Sequence, residues 1–323
     1  MKITIVAFEG CMTSAVYGQA DAFAIAAYIA GRRGDASWSG HDVRIATPTG
    51  TPVPGYGGHP IRPDCSLAEA HDSDIVLIPP IFNDIEETLL LEKNLVAWLK
   101  TLPNNRALLA STCTGAFLLA EAGILDGRRV TTNPAFSVQF QQRYPKVALA
   151  LDERIIGDNR VICAGATTAY LNVAVHVIDR LAGHDLAVAT AKALSIDRNA
   201  ESQRPYFLFI APKDHGDDKV LQLQTWIETH YSENIGIGDM VDVAGMSVRN
   251  LNRRFLSATG FSPAQYLRRV RIEAAKRLLE APNASVERIS DAVGYRDSRA
   301  FIRAFGVVAG VSPGQYRQKF RES

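Results

Sequence analysis

Five short apolar runs, at residues 3–8, 43–46, 75–78, 107–110 and 161–164, punctuate the first part of the chain. They are rich in Val, Ile, Leu and Ala, are bounded by Gly, Pro, Asp or Ser, and lack polar alternation. That is the pattern of strands buried on both faces of a sheet. Between them, residues 15–30, 89–102, 115–122 and 168–181 place apolar side chains at helical spacing. Strand and helix in alternation predict an α/β sandwich with a mainly parallel sheet over residues 1–197. The rhythm is lost in "IDRNAESQRPYFLFIAPKDHGDD", where polar runs surround one apolar patch. A linker is expected over residues 198–218. Within it "RPYFLFI" reads either as a solitary edge strand or as a patch packed on a partner chain or on the second domain.

From residue 219 to 323 the strand signals stop. "VLQLQTWIETHY", "IGDMVDVAG", "SVRNLNRRFLSAT", "PAQYLRRVRIEAAKRLLEA", "SVERISDAVG", "DSRAFIRAF" and "PGQYRQKF" all show helical spacing, with Gly, Ser, Asp and Pro at the joints. A small all-α domain is expected. Shifted by fifty, this region matches itself: Arg253 falls on Arg303, Phe255 on Phe305, Gly260 on Gly310, Ser262 on Ser312, Pro263 on Pro313, Gln265 on Gln315 and Tyr266 on Tyr316. Two copies of one helical unit are present. Upstream of each, Gly245 or Gly294 follows a short helix and precedes a capping residue, Ser247 or Asp297. Helix, glycine turn and helix make a helix-turn-helix, whose second helix enters the major groove.

The spacing assigns faces to those second helices. Leu251 and Phe255 point to a core and leave Arg249, Asn252 and Arg253 outward, while Phe301 and Phe305 leave Ser298, Arg299, Ile302 and Arg303 outward. Arg pairs bidentately with guanine and Asn with adenine. The long helix bearing Arg268, Arg269 and Arg271 is expected to hold the reading helices about one DNA turn, ~34 Å, apart.

Charge sharpens this picture. The chain has 323 residues, 47% of them hydrophobic, and a net charge of only +1. From Ser247 onward, however, 15 Lys and Arg face 6 Asp and Glu. Arginine-rich helices are commonly plain solvated faces, but the repeat at fixed offset and a basic surplus confined to it favour a polyanionic partner. No apolar stretch reaches the roughly 20 residues that span a bilayer; "AYLNVAVHVI" is interrupted by Asn172 and His176. The opening "MKITIVAFEG" reads as a buried strand, not a leader, and the chain is expected in the cytoplasm with no membrane partner. Cys11, Cys65, Cys113 and Cys163 are scattered, which implies free thiols and no metal site.

The stretches "GMSVRNLNRRFLSATGFSPAQYLRRVRIEAAKRLL" and "VGYRDSRAFIRAFGVVAGVSPGQYR" resemble the AraC/XylS family of bacterial transcription regulators. The resemblance implies two helix-turn-helix units reading successive major-groove segments through Arg249, Asn252, Arg253, Ser298, Arg299 and Arg303. Arg299 stands where the family usually has a small residue, so phosphate is an alternative to a base as its contact. "STCTGAFLLAEAGILDGRRVTTN", residues 111–133, resembles the ThiJ/PfpI superfamily, related to class I glutamine amidotransferases. The GlxA-like branch of the AraC family fuses the two. The fold implied is therefore a flavodoxin-like, amidotransferase-like α/β sandwich followed by an all-α double helix-turn-helix domain. The implied partners are promoter DNA, a small-molecule effector, a second copy of the chain and RNA polymerase.

Cys113, at a predicted strand-to-helix turn, sits where enzymes aim a nucleophile. A nucleophile needs a base and an orienting partner. The superfamily's histidine position falls at Asn133, which cannot shuttle a proton. Its acidic position falls near Ala15, and "IPPIFND" replaces the oxyanion loop with Pro79 and Pro80, which have no amide hydrogen. The expectation is a non-catalytic pocket, without cofactor or metal, lined by Cys113, Thr112, Thr114, Asn133 and Ile81 at the carboxyl ends of the strands. Two other readings stay open at this point: a cysteine-dependent hydrolase with a fused DNA-binding module, and a constitutive DNA-binding protein whose first half is a scaffold.

Overall fold

In the computed structural model, which describes all residues except Ser39, 103–106, 198–203, 282–283 and 321–323, the apolar runs become adjacent strands. One sheet contains β1 (Lys2–Val6), β2 (Asp42–Thr47), β3 (Cys65–Ser66), β4 (Ile75–Ile78), β5 (Leu108–Thr112), β6 (Ile155–Gly157) and β7 (Val161–Ala164). Their order is β6-β7-β5-β4-β1-β2-β3. Neighbours are parallel except β6, which runs antiparallel to β7. All residues of β4, β5 and β7 are buried, which is why these segments are continuously apolar. The register Val76↔Leu109 and Leu109↔Val161 stacks their side chains into the middle of the core.

Helices cover this sheet: α1 (Thr13–Arg33), α2 (Ile85–Leu91), α3 (Lys93–Thr101), α4 (Ala116–Glu121), α5 (Ser137–Arg143), α6 (Tyr170–Ala182) and α7 (His184–Ala193). Helices α1, α6 and α7 pack as one group and α2, α3 and α4 as another. The expected helix over 89–102 is divided at Glu92, whose carboxyl is raised by burial. Two helices, α5 and α7, carry no clear periodic signal in the sequence. They are short, and α5 buries only Phe140. All four cysteines are unpaired thiols.

The chain divides between Gln203 and Arg204 into two units. The linker residues 198–203 lie outside the described residues. The stretch from Arg204 onward packs with the second unit, and no strand forms there: Arg204–Tyr206 is a single 3-10 turn, and Phe209 lies edge-on to Phe261 and Tyr266. Of the expectations for "RPYFLFI", the edge strand is not formed and packing on the second domain is met in part: Phe209 packs against its core, while Tyr206, Leu208 and Ile210 are exposed.

Beyond that stretch, the regular elements among the described residues of the second unit are all helices: α8 (Asp218–His230), α9 (Ile237–Ala244), α10 (Val248–Thr259), α11 (Pro263–Glu280), α12 (Val286–Ala292), α13 (Ser298–Ala309) and α14 (Pro313–Phe320). It has two cores. One gathers Leu223, Ile227, Met240, Leu251, Phe255 and Tyr266; the other gathers Ile272, Leu279, Ile289, Phe301, Phe305 and Tyr316. The sequence repeat is repeated in atomic detail. Phe255 meets Tyr266 at 5.3 Å and 80°, and Phe305 meets Tyr316 at 5.5 Å and 77°. Each tyrosine hydroxyl donates to a glutamate, Tyr266 to Glu228 at 2.6 Å and Tyr316 to Glu280 at 2.8 Å. Gly260 and Gly310 end α10 and α13 in the left-handed conformation, and Ser262 and Ser312 bond Gln265 and Gln315 to start the next helix. Among the described residues, no helix is long and apolar enough to cross a membrane.

Because Phe305 is fully buried, Phe305→Ala should cost about 3–5 kcal/mol, comparable with a large part of a small domain's stability. In a urea titration followed by helical circular dichroism, the transition of the second unit should shift to lower denaturant. An unchanged midpoint would contradict the assigned core.

Candidate functional site

The helices expected to read DNA are α10 and α13. Ser247 caps α10 by accepting the amide of Asn250, and Asp297 caps α13 by accepting that of Arg299. The turns before them contain Gly245 at φ +60 and Gly294 at φ +83, a conformation that costs side-chain-bearing residues steric strain. Leu251, Phe255, Phe301 and Phe305 are fully buried beneath these helices. Above them Arg249, Arg253, Arg299 and Arg303 are exposed, and Asn252 and Ser298 are half-buried. Arg253 donates to Asn250 Oδ1 at 3.0 Å and Asn252 to the carbonyl of Val248 at 3.0 Å, which holds both side chains along the helix. Arg254, one position on, turns away and forms a two-pronged pair with Asp217, the cap of α8, at 2.6 and 2.8 Å.

The arginines of α11 separate by role. Arg268 is exposed. Arg269 is half-buried, its guanidinium 4.5 Å from the ring centre of Phe261. Arg271 donates to main-chain carbonyls. The basic surplus is thus partly structural and only partly directed to solvent.

In the first unit, β5 ends at Thr112 and the chain turns sharply. Cys113 has φ +57, one of two described non-glycine residues with positive φ; such a conformation costs on the order of 1–3 kcal/mol. The turn is held by Thr132 Oγ1, which donates to the Cys113 carbonyl at 2.8 Å, and by Thr114 Oγ1, which donates to the Ile81 carbonyl at 2.7 Å. Gly115 admits the close approach of the next loop: a Cβ there would stand 2.6 Å from the Pro79 carbonyl oxygen. The loops after β1, β4, β5 and β7 meet here, with Cys11 bridging Ile81.

Two groups face the Cys113 sulfur. Asn133 Nδ2 donates to Sγ at 3.2 Å, its orientation set by Oδ1 accepting the Ala135 amide at 3.0 Å. Thr167 Oγ1 lies 3.7 Å away. Neither titrates near neutral pH. His41, His215 and His230 are engaged with Trp38, Gln224 and Trp226, and the buried carboxyl of Glu92 acts on Cys11. Burial pushes the thiols of Cys11 and Cys163 up to about 12, so both stay protonated.

Of the five residues expected to line a pocket, Asn133 is half-buried, whereas Thr112, Cys113, Thr114 and Ile81 are each at most 3% exposed. Thr112 Oγ1 is buried without a hydrogen-bond partner among the described residues. Thr167 is a neighbour of the sulfur that sequence reasoning misses. Its signal lies in the pairing of the strands, Thr112↔Ala164, which carries the turn after β7 to the turn after β5.

The profile of the DJ-1/PfpI family matches residues 1–180, and that of a helix-turn-helix domain matches residues 240–319. The HTH-type transcriptional regulator CdhR of Pseudomonas aeruginosa is 26% identical over 84% of this chain and 80% of its own length. The HTH-type transcriptional regulator GbdR of the same organism is 25% identical over 65% of this chain and 57% of its own length. Among solved structures, DJ-1beta of Drosophila melanogaster superposes over 61% of this chain and 98% of its own with a TM-score of 0.51 at 20% identity, a likeness of fold.

Two outcomes follow from this geometry. Gly115→Ala should destabilise the first unit by about 1–3 kcal/mol, since the added methyl meets main-chain oxygens that cannot swing away; a denaturation midpoint equal to the parent's would refute the close approach. Asp217 is held below its ordinary value of 3.8 by its hydrogen bonds from Arg254. Its stabilisation is therefore present above that value and lost as pH falls through the folded one. Asp217→Asn should melt earlier than the parent at pH 7, with the difference closing under strongly acidic conditions. A pH-independent difference would count against the pair.

Proposed function

We propose, from the premise that the chain belongs to the DJ-1/PfpI family and closes with an AraC-type helix-turn-helix domain, that it is a sequence-specific transcriptional regulator. Its first unit senses a small metabolite and does not catalyse. The observation that carries the reading is the duplicated outward row: Arg249, Asn252 and Arg253 on α10, and Ser298, Arg299 and Arg303 on α13, each row standing over two buried apolar anchors. Exposed guanidiniums on a rigid helix bring their donors to guanine edges with little ordering cost. The two helices supply two such contacts from one chain. The partners this implies are promoter DNA, a small effector, a second copy of the chain and RNA polymerase, in the cytoplasm.

For the first unit, the elbow at Cys113 supports a binding role. Its sulfur meets an amide donor and a hydroxyl, which recognise polar groups but cannot relay a proton. An effector seated over Asn133 and Thr167 regulates DNA binding if it prefers one arrangement of the protein. The hydrolase reading has one observation in its favour, the positive φ of Cys113.

Full-length protein selects its own site from a random duplex pool. On that duplex, Arg253→Ala and Arg303→Ala should each weaken binding about 10- to 100-fold and leave binding to unrelated DNA nearly unchanged. Equal binding by both variants would defeat the reading. For the sensor, a thermal-shift screen of amino acids, amines and other small metabolites should find a compound that raises the melting point of the parent but not of Asn133→Leu. Turnover of any hit that stops in Cys113→Ser would favour the enzyme instead.

A further inference from the structure

The outward rows on α10 and α13 act together only if their separation and relative rotation are fixed, and one side chain stands where that geometry is decided. Helix α11 belongs to both cores of the second unit. Its residues up to Val270 pack with the first, and those from Ile272 pack with the second. Arg271 lies between them. Its Nε donates to the Tyr231 carbonyl and its Nη2 to the Glu233 carbonyl, both at 2.8 Å, which ties α11 to the segment that leaves α8. Its guanidinium carbon is 5.3 Å from the ring centre of Tyr295, in the turn of the second helix-turn-helix. That ring in turn lies 5.5 Å from Phe301 of α13. Gly294 presses the same turn onto the same segment: a Cβ there would be 2.8 Å from the oxygens of both Tyr231 and Ser232 and 2.9 Å from Arg271 Nη2. Tyr231 packs against both cores.

We infer that Arg271 is the positioning residue that sets the spacing at which the two reading helices meet DNA. The inference rests on the DNA-binding reading above. A planar guanidinium satisfies two carbonyls with its edge while offering its face to a tyrosine ring; an ammonium cannot do both. Removing it frees two carbonyls and the turn of the second unit together. The lever is long. With reading helices about 34 Å apart, a rotation of about 10° at a midway hinge moves each by about 3 Å, close to the rise of one base pair. Arg271 touches no base in this account; it acts through Tyr295 and the carbonyls of Tyr231 and Glu233.

The test uses the full chain and duplexes selected from a random pool. The parent should select two sequence blocks at one fixed separation. Arg271→Ala should keep each block but accept separations changed by one base pair, and its affinity for the parent's two-block duplex should fall at least about 10-fold as the linkage between contacts loosens. Binding to a duplex with a single block should stay within about 2-fold of the parent. Arg271→Lys and Tyr295→Leu, which keep the charge or the bulk, should show the same relaxed spacing in milder form; if Arg271→Ala does not fold, these two decide the matter. Unaltered spacing preference in the folded variants overturns the inference while leaving the DNA-binding reading intact. Equal loss on one-block and two-block duplexes also overturns it, because it would mark a general structural role. A parent that selects no sequence sinks both.

Discussion

The edge-on packing of a buried phenylalanine on a buried tyrosine, made twice, is the contact on which the second unit depends. Phe255 on Tyr266 and Phe305 on Tyr316 each join a reading helix to the helix that follows it. Each tyrosine hydroxyl is also satisfied by a glutamate, from α8 in one case and from α11 in the other. Burial raises both tyrosines, and the neighbouring carboxylates raise them further, so the hydroxyl remains a donor. One side chain thereby supplies apolar area at its ring and a satisfied polar end, which a phenylalanine at the same place cannot do. The reading helices are stiff because their inner faces are committed to this contact. Their outer faces are left to the solvent.

The first unit poses the opposite problem, that of positioning polar groups at the edge of an apolar core. Parallel strands buried on both faces end together, and their loops converge at one rim. There the chain holds Cys113 in a strained conformation and brings Gly115 into close contact, then surrounds the sulfur with groups that do not exchange protons. The sulfur stands at a sharp strand-to-helix turn, and the side chains that face it are an amide and a hydroxyl. At such a rim the backbone sets the place and the side chains opposite set the chemistry.

Much of this was legible in the residues. The strands at 75–78 and 161–164 were marked by unbroken apolar runs, because burial on both faces removes the polar alternation that would blur their limits. The repeat at offset fifty identified the paired helical units, and its glycines and serines marked caps that the structure places at the helix ends. Asn133 was legible as a residue near the thiol because the resemblance to the ThiJ/PfpI superfamily puts that family's histidine position there. Thr167 was not, since it reaches Cys113 across 54 positions and only strand pairing brings it there. The division of one expected helix at Glu92 was equally hidden: glutamate is a good helix former, and its burial here depends on the packing of the folded chain.

By itself the sequence determined the two kinds of layer, the duplication, and which faces of α10 and α13 look outward, because these follow from local periodicity and caps. The tertiary structure alone decided what each arginine does. Arg249 and Arg253 remain exposed, Arg254 is taken by Asp217, Arg269 lies on Phe261, and Arg271 joins the two halves of its domain. A guanidinium carries the same charge in each place, and its role is fixed by which carbonyls, carboxylates and rings the folded chain brings within reach.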